Sequence, residues 1–141
     1  MGAKRRQIYQ PPKTYKRIVL TQRDVKILST VHAYDGMMNL KQLWRLFFPN
    51  CSSDVQPRRR LRDLCNNGYL TMPITEEALR WVPLGETIYW LGRNGASLVA
   101  GLQGQSLPGF KWRKKPRFSQ IAHDLRVNDF RIAVREGCQL R

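Results

Sequence analysis

Apolar residues recur at helical spacing in three consecutive stretches, and the polar residues between them mark helix ends. Val25, Ile27, Leu28, Val31 and Tyr34 form one face of a first helix. Thr21 precedes it as N-cap, with Asp24 three residues on, so each side chain can satisfy the other's backbone N–H. Asp35-Gly36 closes this helix. Asn39 caps a second helix, with Gln42 in the equivalent position. Leu40, Leu43, Trp44 and Phe47 give its buried stripe, and Pro49 ends it. The third helix begins near Ser53 or Asp54. Pro57 falls in its first turn, where a missing N–H costs little. Pro57, Leu61, Leu64 and Cys65 face the core, and Gly68 supplies a left-handed stop.

Tyr69–Met72 and Thr87–Leu91 are rich in β-branched and aromatic residues and read as a hairpin. The connection between them holds Pro73, Glu76, Glu77, Arg80, Trp81, Pro83 and Gly85. It is long for a plain turn. A short helix follows Asn94 through Leu98 and Val99. Residues 102–117 read as a basic loop. A last helix runs from Ser119 to about Arg135 and is apolar on two sides. Phe118, Ile121, Leu125 and Ile132 mark one, and Val127, Phe130 and Val134 the other. A helix with two apolar faces is normally covered on both. The second face therefore predicts a homodimer or a further domain after this helix.

This order predicts a mainly α fold with a small β-hairpin: a winged helix-turn-helix over residues 18–101 followed by a C-terminal linking or dimerisation helix over 118–141. Residues 1–17 contain Lys4, Arg5, Arg6, Lys13, Lys16 and Arg17 and no acid, and Pro11-Pro12 prevents a regular helix. They read as a basic flexible arm, either a solubilising tail or a strap along a phosphate backbone.

Charge gives the pattern a direction. The chain of 141 residues carries a net charge of +15, while its apolar content of 42% is ordinary for a folded domain, so general disorder does not explain the charge. Such an excess repels itself in the compact state and points to an anionic partner. Nucleic acid ranks ahead of a membrane surface. No apolar run is long enough to span a bilayer. Cys51, Cys65 and Cys138 lack metal-ligand spacing and suit a reducing cytoplasm.

A recognition helix needs an apolar rear and long hydrogen-bonding side chains in front. Gln56, Arg59, Arg60 and Arg62 are the expected base contacts, with Arg59 and Arg60 as the groove-facing pair and Arg62 flanking. Arginine pairs with guanine and glutamine with adenine through two parallel hydrogen bonds. Asp63, four residues after Arg59, either orients that guanidinium or blunts its charge. Expected phosphate contacts are Ser52 and Ser53 at the helix start, Lys41, Arg80 in the wing, Lys111, Arg113, Lys114 and Lys115 in the loop, and Arg5 and Arg6 in the arm. Trp112 and the two flanking phenylalanines of the loop either stack on unpaired bases or bury themselves locally, and burial is the expectation.

Catalysis has little to build on. His32 lies beside the first helix's apolar stripe and reads as structural. His123, Asp124 and Asp129 diverge around a helix, so a surface or interface role is expected, and Glu76-Glu77 reads as a solvated pair. No nucleotide fingerprint, nucleophile elbow or metal-ligand spacing occurs. The expectation is no enzymatic activity, no metal and no cofactor.

The succession LTQRDVKILSTVHAY, NLKQLWRLFFP, RRRLRDLCNNGYL, IYWLGRNGASLV and IAHDLRVNDFRIAV resembles the replication-relaxation family of plasmid and integrative-element proteins across residues 19–136. Thr21, Arg23 and Asp24 match the family's start. Gln42, Leu43, Arg45, Leu46, Phe47 and Phe48 match its second helix. Arg59, Arg60, Leu64, Gly68 and Leu70 match loosely. Tyr89, Leu91 and Gly95 match the strand-to-helix turn, with Gly92 where a threonine cap is usual. His123, Leu125, Asn128 and Asp129 match the last helix. The resemblance implies double-stranded DNA binding in replication, DNA relaxation or transcriptional control of mobile elements. Longer members continue into a nuclease-like domain, so this chain also reads as the N-terminal part of a larger protein. A protein-interaction or oligomerisation module and an RNA-binding module are the other readings.

Overall fold

The computed structural model describes residues 8–139. Both predicted capping boxes are formed. Helix α1 (Gln22–Ala33) starts with Asp24 N donating to Thr21 Oγ1 at 3.2 Å and Thr21 N donating to Asp24 Oδ2 at 2.9 Å. Helix α2 (Leu40–Phe47) repeats the device with Asn39 and Gln42, at 2.8 and 3.0 Å. Each box satisfies two of the N–H groups that a helix start leaves without intrahelical partners. Helix α3 (Val55–Asn66) buries Pro57, Leu61, Leu64 and Cys65, the rear face expected from phasing. At its end Gly68 adopts φ +76°, and Tyr69 N donates to Leu64 O at 2.9 Å, which turns the chain out of the helix.

The sheet has three antiparallel strands where a hairpin was expected. Strand β1 (Met37–Asn39) lies in front of α2, β2 (Leu70–Thr71) follows α3, and β3 (Ile88–Leu91) sits between them in the order β1-β3-β2. The register pairs Met38 with Tyr89 and Leu70 with Leu91. Three residues are too few to display a period of two, and Asn39 is at once the end of β1 and the cap of α2. That overlap hid the strand.

All of β3 is buried. Tyr89 and Leu91 enter the main core with Ile27, Leu28, Leu61 and Leu64. Ile88 and Trp90 enter a second cluster with Met37, Ile121 and Leu125. The uninterrupted apolar run of this strand therefore reflects cover on both faces. The cover on the second side comes from α6 (Ile121–Gln139). The face of α6 marked by Ile121, Leu125 and Ile132, the one the domain was expected to cover, is buried against it.

Asn128, fully buried on α6, donates from Nδ2 to Met37 O at 2.8 Å. Gln42 Nε2 donates to both Leu125 O and Asp129 Oδ1, each at 2.9 Å. Arg45 pairs with Glu136, its Nε lying 2.9 Å from Oε1. These polar ties fix α6 along α2 and β1.

Between β2 and β3 a short helix, α4 (Glu76–Arg80), is capped by Thr75. After β3 the chain enters α5 (Arg93–Leu102) through Gly92. A Cβ on Gly92 would lie 2.4 Å from Gly68 O, and one on Gly95 would lie 2.1 Å from Tyr69 O. Both glycines admit the α3–β2 turn. The following loop tucks in its aromatics as expected. Phe110 is buried with its ring centroid 4.9 Å from that of His32, and Phe118 packs on the second cluster. His32 thus has the structural role predicted for it.

Candidate nucleic-acid interface

The four arginines of α3 divide into two pairs. Arg58 and Arg60 occupy the flanks of the helix and are tied down. Arg58 Nε donates to Asp54 Oδ2 at 2.6 Å, and its Nη1 donates to Thr87 Oγ1 at 3.3 Å. Arg60 forms an ion pair with Asp24, using Nε to Oδ1 at 3.0 Å, and its Nη2 donates to Val19 O at 3.1 Å. The Arg60 side chain retains 19% of its exposure and the Asp24 side chain none. Burial pushes the Asp24 carboxyl up, but the hydrogen bonds from Arg60 and from the Thr21 amide outweigh it, and the net shift is downward. Asp24 thereby closes the capping box of α1 and clamps α3 onto it.

Arg59 and Arg62 project outward. Both are exposed, and neither forms an ion pair among the described residues. The anticipated Arg59–Asp63 pair is not formed. Asp63 instead adds to the field on Arg60. Gln56 is exposed on the same face, one turn before Arg59 and Arg60. Of the expected outward pair, Arg59 is exposed without an ion pair while Arg60 is held by Asp24, and Arg62 is the second exposed arginine without an ion pair among the described residues. Asp24 lies 36 positions away from Arg60 in the chain, which helical phasing cannot see.

Residues 8–20 hold a site that sequence reading assigned only in general terms. Tyr9 is buried, its N–H donates to Pro73 O at 2.8 Å, and its hydroxyl donates to Asn66 Oδ1 at 2.6 Å. Arg62 lies over its ring at 5.7 Å. Further on, Asn67 Nδ2 donates to Lys16 O at 3.0 Å. The segment thus passes Asn66 and Asn67 at the C-terminal end of α3 and reaches Arg60, and its Lys13, Lys16 and Arg17 are exposed. From Tyr9 onward it is an anchored strap, not a free arm. The signal in the sequence was Tyr9 itself, an aromatic residue in an otherwise polar, basic stretch. Arg5 and Arg6 lie outside the described residues.

The remaining predicted phosphate contacts are dispersed. Ser52 and Ser53 are exposed just ahead of α3, where Asp54 and Arg58 neutralise one another. Lys41 is exposed on α2 beside Trp44 and Arg45, and Arg80 is exposed at the end of α4. Arg113 packs against Gly36 at the C-terminal end of α1, whereas Arg60 meets α1 at its N-terminal end. Twelve residues of helix separate those ends by roughly 17 Å. Lys111 and Arg113 therefore do not join the patch on α3.

On α6, Phe130 is 70% and Val134 49% exposed, and Val127 is half-buried. His123 is exposed, while Asp124 pairs with Arg117 and Asp129 accepts from Gln42, so the three do not converge. Cys65 is buried, and burial pushes its thiol up to about 12. No helix among the described residues is long and apolar enough to cross a membrane. Comparison of the chain with protein families, with curated proteins and with solved structures gave no match.

Proposed function

We propose that this chain is a winged helix-turn-helix DNA-binding module in which α3 enters the major groove of duplex DNA. The observation that carries the reading is the division of the α3 arginines. Two hold the helix in place, and two stand with Gln56 on an outer face that has no acidic partner. An arginine left without an acidic partner on a rear-packed helix is arranged for an external anion. Arg59, Arg62 and Gln56 are the base-reading candidates. Lys13, Lys16 and Arg17 of the strap meet flanking phosphates on one side, and Lys41, Ser52 and Ser53 do so on the other. The element order α1-β1-α2-α3-β2-α4-β3 supports the winged-helix assignment, with the β2–β3 connection, which holds α4 and Arg80, as the wing. It is a binding module, not an enzyme, acting in the cytoplasm. The motif resemblance supports a role in replication, DNA relaxation or transcriptional control of a mobile element.

The test is fluorescence anisotropy with a labelled duplex across a salt series. Affinity should fall with a slope of about 0.9 log units per log unit of salt for each phosphate neutralised. A salt-independent affinity, or full affinity in the Arg59→Ala, Arg62→Ala double variant, sinks the reading.

The exposed Phe130 and Val134 favour a second activity on α6, association through its outer face with another copy or with a following domain. That association and DNA binding by α3 use different surfaces and are compatible.

A further inference from the structure

A groove of about 700 Å³ opens between the first residue of α5 and the loop after it. Its charged lining consists of Arg93, Lys111 and Lys114, with no acidic residue. None of the three forms an ion pair among the described residues. Half-buried Trp112 forms one wall, and Leu107 and Pro108 supply apolar surface. The volume falls in the range of sites that enclose small ligands. On the far side of Trp112 a shallower groove runs past Gly36 and Arg113. The one acid there, Asp35, is paired with Arg131 at 3.3 Å. Trp112 is held by its packing against the main core, so its ring is a fixed wall.

A chain of hydrogen bonds joins this groove to α3. Arg60 binds Val19 O, Asn67 binds Lys16 O, and Asn94 Nδ2 donates to Asn67 O at 3.0 Å. Arg93 is the next residue. Exposed Lys16 thus belongs to a segment bound at the C-terminal end of α3, to which the start of α5 is also tied. Cations around an aromatic wall with apolar surface beside it match the chemistry of an unpaired nucleic-acid strand. Its phosphates need charge and its bases need a face to stack on. A plain phosphate site has no use for Trp112, and an apolar ligand has none for three cations.

We infer that this groove binds a single-stranded DNA segment continuing from the duplex on α3. Trp112 stacks one base, and Arg93, Lys111 and Lys114 hold the adjacent phosphates. The inference rests on the DNA-binding reading of α3 for the origin of the strand. The module is then one for a junction between paired and unpaired DNA.

The experiment compares a blunt duplex with the same duplex bearing an oligo-dT extension, by anisotropy on the full chain at one salt concentration. The extension should tighten binding by about tenfold, as expected for one stacked base. Trp112→Ala should lose that gain and leave blunt-duplex binding unchanged, whereas Trp112→Phe should keep most of it. Because Trp112 also packs against the core, the Lys111→Gln, Lys114→Gln double variant gives a second reading and should lose a comparable share. An extension that adds nothing, or a gain that survives both Trp112→Ala and the lysine double variant, overturns the inference. Oligo-dT alone separates the two failures. If it binds in a Trp112-dependent way while the blunt duplex does not bind, the groove stands and the α3 reading falls.

Discussion

Helices α3 and α6 each bury one face and leave the other to solvent, yet the outer faces are opposites. That of α3 carries Gln56, Arg59 and Arg62, all exposed. That of α6 carries Phe130 and Val134, 70% and 49% exposed. The inner faces differ too. α3 is clamped at its flanks by the Arg60–Asp24 ion pair and by the Arg58–Thr87 hydrogen bond. α6 is tied mainly by amide side chains, Asn128 to Met37 O and Gln42 to Leu125 O. The lesson is that residue type alone does not say whether a polar group serves the fold or a partner. Adjacent Arg59 and Arg60 differ in this way, and in the last sequence motif Asp124 and Asn128 are buried while His123 and Asp129 are exposed.

Removing the clamp on α3 should have the largest effect. Asp24→Ala strips Arg60 of its partner and α1 of half its capping box, and should cost about 3 kcal/mol in urea denaturation. A loss below about 1 kcal/mol would show that the clamp is not structural. The same pair sets a pH dependence. The folded pKa of Asp24 lies below its unfolded value, so its contribution is complete above about pH 4 and is lost as pH falls through the lowered folded value. Asp24→Asn should flatten that part of the acid limb in a stability-against-pH series.

The amide ties on α6 come next. Asn128→Ala leaves Met37 O without its donor in a buried site and should cost about 2 kcal/mol, read from the same denaturation curves. Third are the outward arginines. Arg59→Ala and Arg62→Ala should each weaken duplex binding by about 1–3 kcal/mol while leaving stability within about 0.5 kcal/mol of wild type. Arg60→Ala should do the reverse and lower stability first. If Arg59→Ala proves as destabilising as Arg60→Ala, the division of the helix is wrong. The smallest effect on stability belongs to the outer face of α6. Phe130→Asp should leave the unfolding midpoint within about 0.5 kcal/mol of wild type and abolish any concentration dependence in sedimentation velocity.

Much of the local structure is legible in the chain. Thr21 with Asp24 and Asn39 with Gln42 announce two helix starts, because a capping box involves residues three apart. The rear face of α3 follows from Pro57, Leu61, Leu64 and Cys65, because helical period is a local property. Local packing of Phe110 and Phe118 was read correctly from the aromatic-cation loop. Strand β1 was missed because a three-residue strand exists only through its partner β3. What the inner face of α6 covers was not legible for a related reason, since its packing on Ile88 and Trp90 depends on a sheet with two buried faces.

By itself, then, the sequence determined where helices begin and end, which side of each faces inward, and that the chain carries a large unbalanced positive charge. Only the tertiary structure decided where that charge is available. Asp24 reaches Arg60 across 36 positions, Tyr9 draws the strap over the end of α3, and Gly92 and Gly95 let α5 approach Gly68 and Tyr69. Caps and periodicity act between near neighbours and are written in spacing. Charge neutralisation and close backbone approach act between residues distant in the chain, and their partners are chosen only when the core brings them together.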